Sequence, residues 1–216
     1  RKQAFFRRNT SIYEGAFAML ELDHIAVVCS DLTIGSDWLA TRLGCALVQG
    51  GKHPRFGTHN QLLGLAGGLY LEVIAPDPAA CVQGPRWFDL DRAPRRPRWG
   101  NWICRSDDLD AARALTGPAV AMARGDLRWQ ITVPEDGSLP MDGGFPTLIR
   151  WGDMAAHPAK ALPDSGCRLT RWEVHHPQAD QLRRICPVSD AVVVFTPSQT
   201  PHFVAHFDTP NGPVVI

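Results

Sequence analysis

Two side chains in this sequence sit where chemistry would be costly to place by accident. His24 lies in "LDHIAVV", and Glu72 lies in "LYLEVIAP" between Leu71 and Val73. A lone histidine in an alternating strand can be a packed residue bonded to backbone. An ionised carboxylate among apolar neighbours costs several kcal/mol unless a cation, an arginine or hydrogen bonds offset it, on the order of a buried-ion penalty. Imidazole plus one or two carboxylates suits Zn, Fe, Mn or Ni without choosing among them. His59 and Asn60, in "GTHNQLLGL", point to opposite faces by the two-residue period, so one of them faces any cleft on that sheet. Arg150 and Trp151, in "TLIRWGD", alternate in the same way. An inward Arg150 would clamp a carboxylate or phosphate bidentately, or neutralise Glu72 or Glu173; a tryptophan at that place is more often core. His157, His175 and His176 stand near prolines at strand ends and read as solvated loop histidines, while His202 and His206 share a face with no identifiable partner.

These residues must be positioned by strands. "LELDHIAVVC" alternates and is rich in β-branched residues. In "DLTIGSDWLATRLG", Asp31 reads as an N-cap, Ile34, Trp38, Leu39 and Leu43 as one helical face, and Gly44 as the C-cap. "CALVQGG", "THNQLLGL" and "LYLEVIAP" follow as strands, so residues 20–76 read as β-α-β-β-β. A Pro/Arg-rich connector runs through "APRRPRWG". The opening pattern then restarts in "WGNWICRSDDLDAARALTG". Aligning Asp31-Leu32 with Asp108-Leu109 sets Asn101 opposite His24. "DLRWQITVP", "FPTLIRWG" and "CRLTRWEVHHP" continue as strands, "QADQLRRIC" as a helix, and "AVVVFTP", "HFVAHFDTP" and "GPVVI" as closing strands.

The fold class is therefore α+β, with paired βαβββ modules whose curled mixed sheet encloses one cleft. The expected parts are an N-terminal extension outside the fold (1–18), a first module (19–80), a Pro/Arg-rich linker (81–98), and a second module with a C-terminal helix and strands (99–216). Residues 1–18 carry Arg1, Lys2, Arg7 and Arg8 against the single acid Glu14. They lack the apolar core of a secretory signal and read as an upstream extension, with Met19 as the start of the folded chain.

The 22 basic and 22 acidic residues balance, so no global field draws nucleic acid or an anionic membrane. No apolar run approaches the ~20 residues needed to cross a bilayer. The six cysteines form no C-x-x-C pair and read as buried free thiols, which fits a cytoplasmic protein and disfavours a zinc cluster. No G-x-G-x-x-G, P-loop or G-x-S-x-G element is present, so nucleotide binding and serine-hydrolase chemistry have no support.

"LDHIAVVCSDL" followed by "GTHNQLLGLAGGLYLEVIAPDP" resembles the vicinal oxygen chelate superfamily, and within it the glyoxalase-like domain proteins of the glyoxalase/bleomycin resistance/dioxygenase type. The resemblance is strong over residues 20–80 and continues more weakly to "DTPNGPVVI". It implies a divalent metal in a U-shaped cleft, with ligands from the first and last strands of each module. Those positions match His24 and Glu72 in the first module. In the second, the first-strand position is Asn101, a poor transition-metal ligand. The last-strand position is Glu173 if "RWEVHHP" is that strand, and falls near Ile149 or Arg150, with no ligand, if "TLIRWGD" is. The "GTHN" match implies that His59 or Asn60 lines the pocket.

The implied function is a metal-dependent isomerase, lyase or dioxygenase acting on a small oxygen-bearing molecule. Glu72 and Glu173 are its candidate catalytic carboxylates, and His59, Asn60, Asn101, Arg150 and Trp151 its candidate substrate contacts. The alternative is a metal-free protein that sequesters a small aromatic or anionic ligand. A small-molecule substrate and a possible homodimer are the expected partners.

Overall fold

The computed structural model describes residues 17–216. The first module runs β1 (Glu21–Val28), α1 (Leu32–Leu43), β2 (Val48–His53), β3 (Thr58–Gly64) and β4 (Tyr70–Pro76). The second runs β5 (Arg98–Arg105), a one-turn α2 (Arg113–Thr116), β6 (Ala119–Arg124), β7 (Leu127–Thr132) and β8 (Thr147–Trp151). Then come α3 (Pro158–Ala161), β9 (Arg168–His176), α4 (Ala179–Ile185), β10 (Val193–Pro197), β11 (His202–Thr209) and β12 (Gly212–Val215).

Both modules share one eight-stranded sheet in the order β2-β3-β4-β1-β5-β8-β7-β6. β1 pairs parallel with β4, and β5 pairs parallel with β8 in the same way. The modules meet along the antiparallel β1–β5 seam. The edge strands β2 and β6 approach each other, so the sheet curls almost into a closed barrel. The expected paired-module fold is therefore present.

The second module ends at β8. β9 belongs to a separate four-stranded sheet, β10-β9-β11-β12, which covers the convex face of the large one. That packing joins Leu22, Ile25 and Val27 of β1 to Trp172, Val174, Ala205 and Phe207 in one core. The concave face carries its own apolar cluster, including Ala26, Ile74, Ile103, Trp129 and Ile149.

Local signals explain most elements. Asp31 caps α1 by accepting from Ile34 N–H at 3.0 Å, and Gly44 closes it at φ 68°. The buried stripe is Leu32, Gly35, Ser36, Leu39 and Leu43. Ile34, expected on that face, is 52% exposed. The stripe is rotated because Gly35 lets the helix press onto Val73; a Cβ there would lie 2.7 Å from Val73 Cγ1. The second helix shrinks to one turn because the Asp108 carboxylate accepts from Asp110 and Ala111 N–H, holding that stretch in a turn. Residues 1–16 of the expected extension lie outside the described residues. Phe17 packs its ring edge-on against Phe145 at 5.5 Å, so the folded part starts before Met19. All six cysteines are free; Cys81 is exposed and Cys45 half-buried, contrary to the uniformly buried expectation. No helix among the described residues is long and apolar enough to cross a membrane.

Candidate functional site

The concave face holds a small pocket, open to solvent at its mouth, with about 40 Å³ of enclosed space. His24 and Glu72 lie at its floor, and Tyr70, Trp87, Phe88, Trp129 and Trp151 form much of its wall. A β-bulge puts His24 there. Leu22 faces Cys104 and His24 faces Ile103, so Asp23 is an extra residue in β1 with no partner on β5. The bulge lets Leu22 join the convex core while His24, two residues on, enters the concave side.

Asp23 is fully buried and accepts four hydrogen bonds. The donors are His24 Nδ1 at 2.6 Å, His157 Nε2 at 2.9 Å, Trp151 Nε1 at 3.0 Å and Arg105 Nη1 at 3.1 Å. His157 Nδ1 accepts from Ala159 N–H, which leaves its Nε2–H for Asp23. Burial alone would raise the Asp23 carboxyl, but the His157 and His24 hydrogen bonds outweigh it and hold it far below the usual range.

With Nδ1 committed, His24 presents Nε2 to the pocket, 3.6 Å from Glu72 Oε2. That is an ion-pair distance, too long for a hydrogen bond. Tyr70 stacks on the imidazole at 4.3 Å. Burial depresses the His24 pKa, but the carboxylates of Asp23 and Glu72 on either side overcome it and raise it to about 9. Burial pushes Glu72 up; His24, His53 and the Asn60 hydrogen bond reverse this and keep it below its usual value. The floor is thus an imidazolium between two carboxylates. His53, also lining the pocket, is pulled down to about 4, chiefly by burial.

Asn60 is the inward member of the His59/Asn60 pair. It donates Nδ2–H to Glu72 Oε1 at 2.6 Å and accepts from Gly51 N–H at 2.7 Å. Glycine is required beside it: a Cβ on Gly50 would lie 2.1 Å from Asn60 Oδ1. His59 faces away, and its Nε2 is buried without a hydrogen-bond partner among the described residues.

Asn101 is fully buried and lies diagonally from His24, not directly opposite; across the seam it pairs with Ala26. Strand register gives it a clear counterpart role. In the first module Ala26 faces Glu72 and His24 stands two residues earlier. In the second, Ile103 faces Thr147 and Asn101 stands two residues earlier. The pair equivalent to His24 and Glu72 is therefore Asn101 and Thr147, and these bond to each other, Nδ2–H to Oγ1, at 2.9 Å.

Trp151 lines the pocket and Arg150 does not. The Arg150 guanidinium is exposed and bonds the Gln130 side chain and the Asp107 carbonyl. Glu173 is remote, on the four-stranded sheet, paired with Arg171, His175 and His206.

The donor set does not fit the four-ligand metal centre that the sequence resemblance implies. His24 Nε2 and Glu72 Oε2 face each other in the pocket, and His53, whose Nδ1 bonds Thr58 Oγ1, lines it as well. Asn60 Oδ1 is taken by Gly51 N–H, and Asn101 and Thr147 satisfy each other. Among the described residues, no three His, Cys, Asp or Glu side chains are placed to hold one ion.

The family model described as a glyoxalase-like domain matches residues 22–187, which spans both modules and β9. The chain belongs to the glyoxalase-like domain family. The curled mixed sheet is the fold expected of that family. A hypothetical protein from Staphylococcus aureus is similar over 86% of this chain and 88% of its own, at 13% identity and a TM-score of 0.57. Methylmalonyl-CoA epimerase from Mycobacterium tuberculosis is similar over 60% of this chain and 85% of its own, at 24% identity and a TM-score of 0.39. A search of the curated proteins found no match.

Asp23 and His157 were not singled out by the sequence. Asp23 directly precedes the histidine, so simple alternation sends it to the other face, and only the bulge overturns that. His157 reads as a solvated loop residue, yet it is 2% exposed.

Proposed function

We propose that this glyoxalase-like domain protein is an enzyme of the isomerase or lyase class that moves a proton at a carbon next to a carbonyl of a small molecule. The observation that carries the reading is the His24–Glu72 ion pair at the floor of an aromatic pocket, each member locked from behind by Asp23 or Asn60. A carbonyl oxygen bound beside the pair would accept from His24 Nε2–H. Glu72 Oε2 would take the proton from the adjacent carbon. Once the substrate oxygen takes the His24 Nε2–H, Glu72 is engaged less directly by the imidazolium inside a buried site and its basicity rises. A preorganised donor to a developing oxyanion contributes about 3 kcal/mol of barrier lowering. Asp23 holds the imidazolium in place and stays ionised.

Deuterium wash-in provides the test. A panel of aryl ketones and aryl 2-oxo acids, phenylpyruvate among them, is followed by NMR in D2O with chelator-treated protein. Exchange above the buffer rate should appear for a panel member, survive chelation and fall at least about 100-fold in Glu72→Gln, the typical contribution of a positioned acid–base group. Unchanged exchange in that variant contradicts the assignment. A second reading places a divalent ion (Zn, Fe, Mn or Ni) on His24 and Glu72. Its support is the Asp23 carboxylate behind His24 Nδ1, which is how metal-bound imidazoles are oriented. Exchange lost on chelation and restored by the ion would favour it. Panel members that bind without any exchange would mark the pocket as a sequestering site.

A further inference from the structure

Arg124 is the last residue of β6, at the tip of an edge strand, and it lines the same pocket as His24 and Glu72. Its side chain crosses the seam where the curled sheet nearly closes. A Cβ on Gly51 of β2 would lie 2.5 Å from Arg124 Cδ and 2.8 Å from Nη1, so the absent side chain at 51 makes room for the guanidinium. Half-buried arginines elsewhere among the described residues have carboxylate partners: Arg105 has Asp23 and Glu21, and Arg86 has Asp91. Arg124 differs. Its Nη1 is buried without a hydrogen-bond partner, and among the described residues the guanidinium has no ion-pair partner.

A guanidinium nitrogen taken from water and given no acceptor is costly, and the cost is recovered when an anion arrives. Glu72, the carboxylate that lines the pocket, is already occupied by His24 and Asn60. The neighbouring walls are the indoles of Trp87 and Trp129 and the ring of Phe88.

We propose that Arg124 is the anion-binding residue of this pocket, and that the physiological ligand is a small carboxylate with an aromatic or similarly flat apolar body. A carboxylate matches the planar fork of the guanidinium, and the aromatic walls take the body. The inference rests on the pocket being the substrate site, but not on the proton chemistry assigned to it.

Phenylacetate and its uncharged isostere phenylacetamide are the probes, with binding read by the fluorescence of the pocket tryptophans. The full chain should bind phenylacetate at least about tenfold more tightly than phenylacetamide, the size expected of one charge-assisted contact. Arg124→Gln should erase that preference. Arg124→Lys should keep part of it, because charge remains while the fork is lost. Glu72→Gln should retain the preference, so a failure of the acid–base assignment and a failure of the anion site give different results. Equal affinity for the two probes, or no binding of phenylacetate at millimolar concentration, overturns the proposal.

Discussion

Asp23→Ala is expected to lower the melting temperature by about 10 °C, the largest effect of any single substitution in the site. The carboxylate is fully buried and receives donors from His24, His157, Trp151 and Arg105. Its removal strands two imidazole N–H groups and an indole N–H together, and leaves Arg105 with Glu21 alone. Breaking a buried ion pair by removing one partner costs about 3–5 kcal/mol, and a domain of this size loses roughly 2–4 °C per kcal/mol. Asp23→Asn should cost less, since its carbonyl oxygen still accepts while its NH2 opposes one of the donors. Arg150→Ala, on the exposed face, should stay within about 0.5 kcal/mol of wild type. Thermal melts of the three variants give the ranking. If Asp23→Ala melts with wild type, the four-donor cluster does not exist in solution.

Stability should also fall as the solution turns alkaline, and His24 sets the window. The folded-state pKa is about 9 against 6.5 for a free histidine. A raised folded value means the folded protein binds the proton more tightly than the unfolded chain. The extra stability is therefore complete below pH 6.5 and is lost progressively as pH rises through about 9. The difference corresponds to roughly 3 kcal/mol. Melting temperature should decline by about 5–10 °C across that interval. His24→Ala, already destabilised, should lose this part of the decline. On the acid side the same cluster acts through Asp23. Its lowered carboxyl contributes stability that is complete above pH 3.8 and lost as pH falls through its folded value. The two limbs report one interaction and are not summed.

The paired-module fold was legible because its signals are local and repeated. Two strand-aspartate-helix-glycine stretches stand 77 residues apart, Asp31 against Asp108, and Asp31 and Gly44 cap α1 as their types require. Glu72 was legible for a physical reason: a carboxylate inside an apolar strand must be compensated, and the compensation is His24 and Asn60. The end of the second module was not legible. "TLIRW" and "RWEVHH" are both strand-like, and the choice between them depends on pairing with β5, a long-range contact that neither stretch encodes alone. Only the pairing of Ile103 with Thr147 decides it, and with it the exclusion of Glu173 from the cleft. Asp23 was hidden because a one-residue bulge inverts the alternation from which facing is read. Arg124 was hidden because its signal is split between a loop-edge arginine and the glycine at position 51 that gives way to it, on strands at opposite edges of the sheet.

The central claim is that His24 is an imidazolium held between the carboxylates of Asp23 and Glu72. NMR of the His24 ring nitrogens, titrated from about pH 5 to about pH 11 with and without added zinc, tests it most directly. The account expects a midpoint near 9, unmoved by zinc and lowered in Glu72→Gln. A midpoint at or below 6.5, or a ring that stops titrating once zinc is added, would contradict it.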